Sequence, residues 1–391
     1  MRRFISQGDV PRKRHMQVTR NGKLVYEELF GREGFSGPSA LLYHINIPEG
    51  ATDISAAGDD SPEMEKEGAH VHAHLETFRL APHGDLLRGR QWLLVNQDVR
   101  IGLAAPTSNH DGFYVNASAD EVYYFHHGTG TFNSQFGRLS LREGDYLVIP
   151  KGTVYSLELD NPQESRLLVV EALSGMVDSP QRYRAQRTGQ LLEAAPYSER
   201  DIRTPELQPP QNGPATLLMK REMRFSAYQL DHHPLDVLGW DGTVYPCAFS
   251  IHDFEPRAGR FHVPPPTHQT FEAPGFVLCS FAPRKLDWDP QAIFLPYHHS
   301  NVDSDEVIYY AGGTYAARRG ISEGSITHHV GGFPHGPQPG AVEASLDKPR
   351  ETDEVAVMVD TFRPLHRTET ARQVLDPHYP FSWQTPAKEA D

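Results

Sequence analysis

The sequence predicts an all-β protein made of two tandem, similarly patterned domains, and three observations lead there. First, the segment Ala119-Asp-Glu-Val-Tyr-Tyr-Phe-His-His-Gly-Thr-Gly-Thr131 is echoed by Asp303-Ser-Asp-Glu-Val-Ile-Tyr-Tyr-Ala-Gly-Gly-Thr-Tyr315. Second, short alternating runs recur, among them Gln91-Trp-Leu-Leu-Val95, Gly137-Arg-Leu-Ser-Leu141 and Tyr146-Leu-Val-Ile-Pro150, with Gly-Asp, Gly-Thr and Pro-Lys-Gly between them. Such alternation with turn residues is the pattern of antiparallel strands. Third, the 391 residues include 32 Gly and 32 Pro at 38 % hydrophobic content, which suits many short strands better than long helices. That length also suits two domains.

Taken in order, residues 1–50 mix polar and apolar positions and are expected to supply edge strands, and residues 51–69 an exposed loop. The first domain is expected over 1–175. Residues 176–215 are rich in Arg, Gln, Glu and Pro and include Gln208-Pro-Pro-Gln-Asn-Gly-Pro214, which resists both helix and central strand. They are expected to form an inter-domain crossing. A second domain follows over 216–365, then a tail over 366–391 with a short helix near Arg367-Thr-Glu-Thr-Ala-Arg-Gln-Val374. The formal charge of −14 argues against nonspecific binding to nucleic acid or an anionic membrane. Cys247 and Cys279 lie in apolar settings and read as buried, reduced thiols. No run approaches the ~18 apolar residues of a membrane helix, so a cytoplasmic protein is expected.

The strand, Gly turn, strand, Gly144-Asp and Pro150-Lys-Gly-Thr153 of the first half resemble a cupin, a double-stranded β-helix or small jelly roll. The second half repeats the frame, so two tandem cupin domains are expected. A cupin metal strand reads His-x-His-x(3–4)-Glu, with another His on a later strand. Here the second half has His299-Ser-Asn301 and then Glu306, with Asn301 in the place of the second His, and His335 later in Pro-His-Gly-Pro. Two imidazoles and one carboxylate suit Fe(II), with positions open for substrate and dioxygen. His298 competes with His299, but the spacing to Glu306 favours His299 and strand alternation turns His298 to the opposite face. In the first half Tyr114, Asn116 and Tyr155 stand in the ligand positions, leaving Glu121 alone, so that domain is expected to be metal-free and structural. His70, His72 and His74 fall on one face of an alternating run ending at Glu76; a pocket or interface role is expected, with metal binding as the lesser alternative. Pro264-Pro-Pro266 reads as a stiff loop leading to His268.

The segments Asp236-Val-Leu-Gly-Trp-Asp-Gly-Thr-Val-Tyr-Pro246, Pro296-Tyr-His-His-Ser-Asn301, Glu306 through Arg318, and Pro334-His-Gly-Pro337 resemble the homogentisate 1,2-dioxygenases. The resemblance implies Fe(II) held by His299, Glu306 and His335, with Asn301 and His329 supporting them. It implies substrate contacts from Tyr315, Arg318 and His335, and a phenolic proton taken by His268. The implied reaction joins homogentisate and O2 to give maleylacetoacetate in tyrosine and phenylalanine catabolism, in a homo-oligomer, a trimer or hexamer. The spacing from His299 to Glu306 is one residue longer than in the family's animal members, and the chain is shorter. One alternative is a bicupin dioxygenase for another hydroquinone, such as gentisate. A second is a non-oxygenase bicupin, an isomerase or a binding protein.

Overall fold

The computed structural model describes residues 3–348 and 350–384, and strands dominate it. The α-helices of the described residues are the five-residue Ala341–Ser345 and Glu369–Gln373. The second lies where the tail helix is expected, and its N-terminus is capped by Thr368 Oγ1, which accepts the Ala371 N–H at 3.2 Å. Residues 385–391 of the expected tail lie outside the described residues.

The chain divides into two compact units, whose boundaries differ from those expected. The first comprises Met1–Ser61, Pro82–Gln91 and Gly102–Ser250; the second comprises Pro62–Ala81, Trp92–Ile101 and Ile251–Asp391. Residues 216–250 thus belong to the first unit, because Ala215–Arg221 pairs in parallel with Phe113–Asn116 and then turns back on Arg224–Leu230. The stretch 176–215 also stays within the first unit. Its backbone is stitched there, as Arg203 exchanges bonds of 2.8 and 2.9 Å with Ala248, and Glu206 exchanges bonds of 2.9 Å with Arg138. Conversely, the strand Ala73–Leu75, which carries His74, pairs with Ile326–His329 of the second unit. The expected loop over 51–69 contains the strand Ala51–Asp59, bound to Arg224–Leu230. Its near-complete exposure explains why no apolar alternation marks it.

In the first unit a sheet runs in the order Gly137–Leu141, Gly130–Ser134, Val154–Leu159, Phe113–Asn116, Ala215–Arg221, Arg224–Leu230, Ala51–Asp59. Asp120–His127 lies between Asp145–Ile149 and Arg166–Ala172 in another sheet. In the second unit six strands are ordered Gln269–Ala273, Phe276–Phe281, Val355–Thr361, Asp305–Gly312, Ile326–His329, Ala73–Leu75. One face of this sheet carries the apolar cluster of Val277, Cys279 and Met358, packed by Phe281 and Ile308. Cross-strand partners share a face, so Glu306, two residues before Ile308, projects to the same side. Both cysteines are free and buried.

The duplicated Asp-Glu-Val explains itself through alternation. Asp120 turns away from Glu121 and accepts the N–H groups of Lys151 (2.9 Å) and Val177 (3.0 Å) and the guanidinium of Arg32 (2.7 Å). Asp305 does the same for Gly331 (2.7 Å) and Leu365 (2.8 Å) and contacts the imidazole of His328 (3.0 Å). In each unit the aspartate ties down the chain just beyond the two neighbouring strands. The following glutamate is thereby fixed pointing inward.

A further buried clamp joins the N-terminal strands. His44 contacts Asp236 through Nδ1 (2.7 Å) and Glu28 through Nε2 (3.0 Å). Burial alone would push this imidazole down, but the two carboxylates raise it to about 9. A raised folded value means that the clamp contributes fully below the unfolded value of about 6.5 and fades as pH rises through 9. Denaturant titration between pH 6 and 10 should therefore show a loss of up to roughly 3 kcal/mol in this window, smaller in Asp236→Asn, where Glu28 alone remains.

Candidate metal centre

His299, Glu306 and His335 come together in the second unit. One nitrogen or oxygen from each lies within 4.8 Å of the others. Each arrives for a local reason. Glu306 is the inward residue of its strand. His299 and His335 form an antiparallel bridge, exchanging backbone bonds of 2.8 and 2.9 Å, which sets their rings 4.3 Å apart. Gly336 makes that approach possible, since a Cβ there would lie 2.7 Å from the Cα of His298. His298 itself is exposed, and it is His299 whose Nε2 faces Glu306, at 3.7 Å.

The donor set suits a divalent metal. The Nδ1 of His299 is 3.1 Å from the carbonyl of Tyr297, which fixes the tautomer with its proton on Nδ1 and leaves a lone pair on Nε2. Both ring nitrogens of His335 are buried without a hydrogen-bond partner, and Nε2 lies 3.4 Å from Glu306 Oε1. Burial alone would raise the Glu306 carboxyl, but His299, His329 and His335 hold it well below the usual carboxylate range. Two imidazoles and a carboxylate on one side of a site form the facial arrangement used with non-haem iron.

His329 stands behind these groups. It pairs in register with Glu306, places Nδ1 2.7 Å from Glu306 Oε1, and places Nε2 2.9 Å from the Tyr379 hydroxyl. Only one polarity satisfies both bonds: Tyr379 O–H donates to Nε2, and Nδ1–H donates to the carboxylate. Burial pushes His329 down to about 3, which keeps it neutral and the polarity fixed. His72 completes the wall. It accepts the Val330 N–H on Nδ1 (3.1 Å), faces the Pro334 carbonyl with Nε2 (3.2 Å), and sets its ring 5.2 Å from that of His329. His74 sits between Ser325 (2.9 Å) and Asp376 (3.3 Å), whereas His70 is exposed against His366. The run 70–74 therefore reaches the candidate ligands through His72, whose ring lies 5.4 Å from that of His335, with His74 packed behind against Tyr379.

The remaining expected residues divide. The Tyr315 hydroxyl is buried without a partner, its ring 4.7 Å from Tyr310. Arg318 lies over the ring of Trp383 (5.5 Å) and donates to the Gly336 carbonyl, next to His335. Asn301 contributes its backbone carbonyl, which accepts the Gly332 N–H at 3.2 Å. His268 stacks on Phe281 at 4.7 Å, and its Nδ1 is buried without a partner. Among the described residues no hydrogen bond or ring contact joins it to His299, Glu306 or His335. Burial pushes His268 down to about 4, so it is neutral near pH 7.

Three contributors escape the sequence reading. Tyr379 and Trp383 come from the tail and close the site from behind; Trp383 Nε1 donates to the Gly336 carbonyl at 3.0 Å. Asp360 is the register partner of Glu306 on Val355–Thr361, and burial and the Glu306 charge push its carboxyl up to about 8. A signal for Asp360 exists: Glu171 and Asp360 are both the penultimate residue of the strand that pairs beside the duplicated segment. Tyr379→Phe strands the buried Nε2 of His329 without a donor and should lower unfolding free energy by about 1–3 kcal/mol in denaturant titration.

Residues 96–251 match the family model described as homogentisate 1,2-dioxygenase N-terminal. A protein of Saccharolobus solfataricus, provisionally named a dioxygenase, is 41 % identical over 98 % of this chain and 99 % of its own length. A homogentisate 1,2-dioxygenase of Rhodopseudomonas palustris is 27 % identical over 70 % of this chain and 63 % of its own length. Among solved structures, a cupin 2 conserved barrel domain protein from Leptotrichia buccalis is 12 % identical, covering 77 % of this chain and all of its own, with a TM-score of 0.34. No helix among the described residues is long and apolar enough to cross a membrane. The 41 % identity over nearly the whole length places this all-β chain in the same dioxygenase family as the Saccharolobus protein, and its residues 96–251 carry the homogentisate 1,2-dioxygenase N-terminal pattern.

Proposed function

We propose that the chain is an Fe(II)-dependent ring-cleaving dioxygenase that converts homogentisate and O2 to maleylacetoacetate in tyrosine and phenylalanine catabolism. The observation that carries this reading is the convergence of His299, Glu306 and His335, with both His335 nitrogens unpaired, in a chain of a dioxygenase family. Both atoms of O2 enter the product, and the ring opens between a hydroxylated carbon and the carbon bearing the acetate. Bound Fe(II) would supply Lewis acidity toward a ring hydroxyl and a position where O2 meets the electron-rich ring.

The chain's own residues bind and orient. Arg318 and Tyr315 are assigned to the substrate carboxylate: a guanidinium forms a fork for it, and the Tyr315 hydroxyl is a buried donor without a partner. His335 borders the ring as well as the metal. His268, neutral near pH 7, is assigned the phenolic proton. His329 and the Asn301 segment hold the ligands in place. The first unit, with Tyr114 and Tyr155 where the second has His299 and His335, takes no metal. The reading extends to a cytoplasmic homo-oligomer, as the family resemblance implies.

One observation favours a second reading, a dioxygenase for another hydroquinone such as gentisate. The spacing from His299 to Glu306 is one residue longer than in the family's animal members, which alters the ligand strand beside the substrate. Anaerobic Fe(II) loading followed by O2 uptake with a panel of hydroquinones separates the two. Homogentisate should give one O2 consumed per ring opened; uptake with gentisate and none with homogentisate would select the second reading. Glu306→Ala should lose both bound iron and O2 uptake, and full activity in that variant refutes the site.

A further inference from the structure

Each unit places a second acid opposite its central glutamate. Glu121 pairs in register with Glu171, and Glu306 with Asp360. Directly opposed residues of antiparallel strands project from the same face with their Cβ atoms about 5 Å apart. Two carboxylates so placed and shielded from water repel each other, and a cation or a proton must relieve them.

In the first unit the relief is built into the chain. Arg90 reaches Glu121 through Nη2 at 2.8 Å and Glu171 through Nη1 at 3.1 Å, and Lys220 lies 2.7 Å from Glu171. The Tyr155 hydroxyl donates to the other oxygen of Glu121 at 2.8 Å, and Tyr114 pairs in register with Tyr155 as His299 does with His335. The two frames therefore correspond residue by residue, except that the second has no such cation. Among the described residues no Arg or Lys forms an ion pair with Glu306 or Asp360, whose Oδ1 is sealed from solvent with no hydrogen-bond partner.

We propose that Asp360 is part of the metal centre, its carboxylate supporting the divalent cation from outside the ligand set of His299, Glu306 and His335, as Glu171 supports Arg90. The proposal rests on the reading that those three residues hold a metal. Asp360 is not in the 4.8 Å cluster of donor atoms, so it would act on the cation across a water or a substrate hydroxyl and not as a ligand. It is a positioning residue, one charge and about one residue's width from the ligands.

The test is anaerobic chelator competition for Fe(II), repeated with Co(II), on the full chain and on Asp360→Asn. The neutral variant should bind metal roughly tenfold more weakly, a loss typical of removing a group behind the ligands. Its metal-free form should unfold at equal or higher denaturant concentration, because a buried acid crowded against Glu306 has gone. A merely structural role predicts the opposite for stability. Should the Asn variant misfold, Asp360→Ser carries the same expectation. Equal affinity in the folded variant overturns this proposal alone. Absence of metal binding by the unaltered chain overturns the underlying reading as well.

Discussion

One constraint shapes both units: buried carboxylates on facing strands must be matched by positive charge. Glu121 and Glu171 in one unit, and Glu306 and Asp360 in the other, occupy the same register positions. The first pair is bridged by Arg90, a cation that the chain itself supplies. The second pair is faced by imidazoles, which in their neutral form offer lone pairs instead of charge. An arrangement rich in lone pairs and short of positive charge suits a divalent metal.

Around that constraint the rest of the second unit is arranged for stiffness. Asp305 anchors the chain beyond both neighbouring strands, so the inward direction of Glu306 is determined by backbone bonds. His329 and Tyr379 then hold one carboxylate oxygen in a chain of defined polarity. The close backbone approach at Gly336 keeps His299 and His335 side by side. Arg318 and Trp383 meet at the Gly336 carbonyl, which couples the tail to the ligand loop. Ligand geometry set by surrounding packing is what a metal-dependent oxygenase needs if substrate and O2 are to meet in one orientation.

Much of this was legible in the sequence because it was local. The all-β class followed from alternation and turns, and His299, Glu306 and His335 from spacing within a duplicated frame. The unit boundaries were not legible, because Ala73–Leu75 and Ala215–Arg221 are assigned by partners some 250 and 100 residues distant, as is usual for strand pairing. Arg90 sits in an ordinary apolar strand, and nothing local marks it as the bridge between Glu121 and Glu171. Tyr379 and Trp383 lie in a Pro-containing tail whose role appears only when it folds back on His329 and Gly336. Asp360 looks like the polar end of a strand, and its register with Glu306, matched by Glu171 with Glu121, gives it meaning. The expected grouping of His70 with His72 and His74 fails because the ordered strand begins only at Ala73.

The central claim is a division of labour between two copies of one frame, the first charged by Arg90 and the second by a metal. Metal stoichiometry tests it most directly. Anaerobic titration of the full chain with Fe(II), followed by removal of free ion and elemental analysis, should give one iron per chain. Two irons per chain, or none, would contradict it.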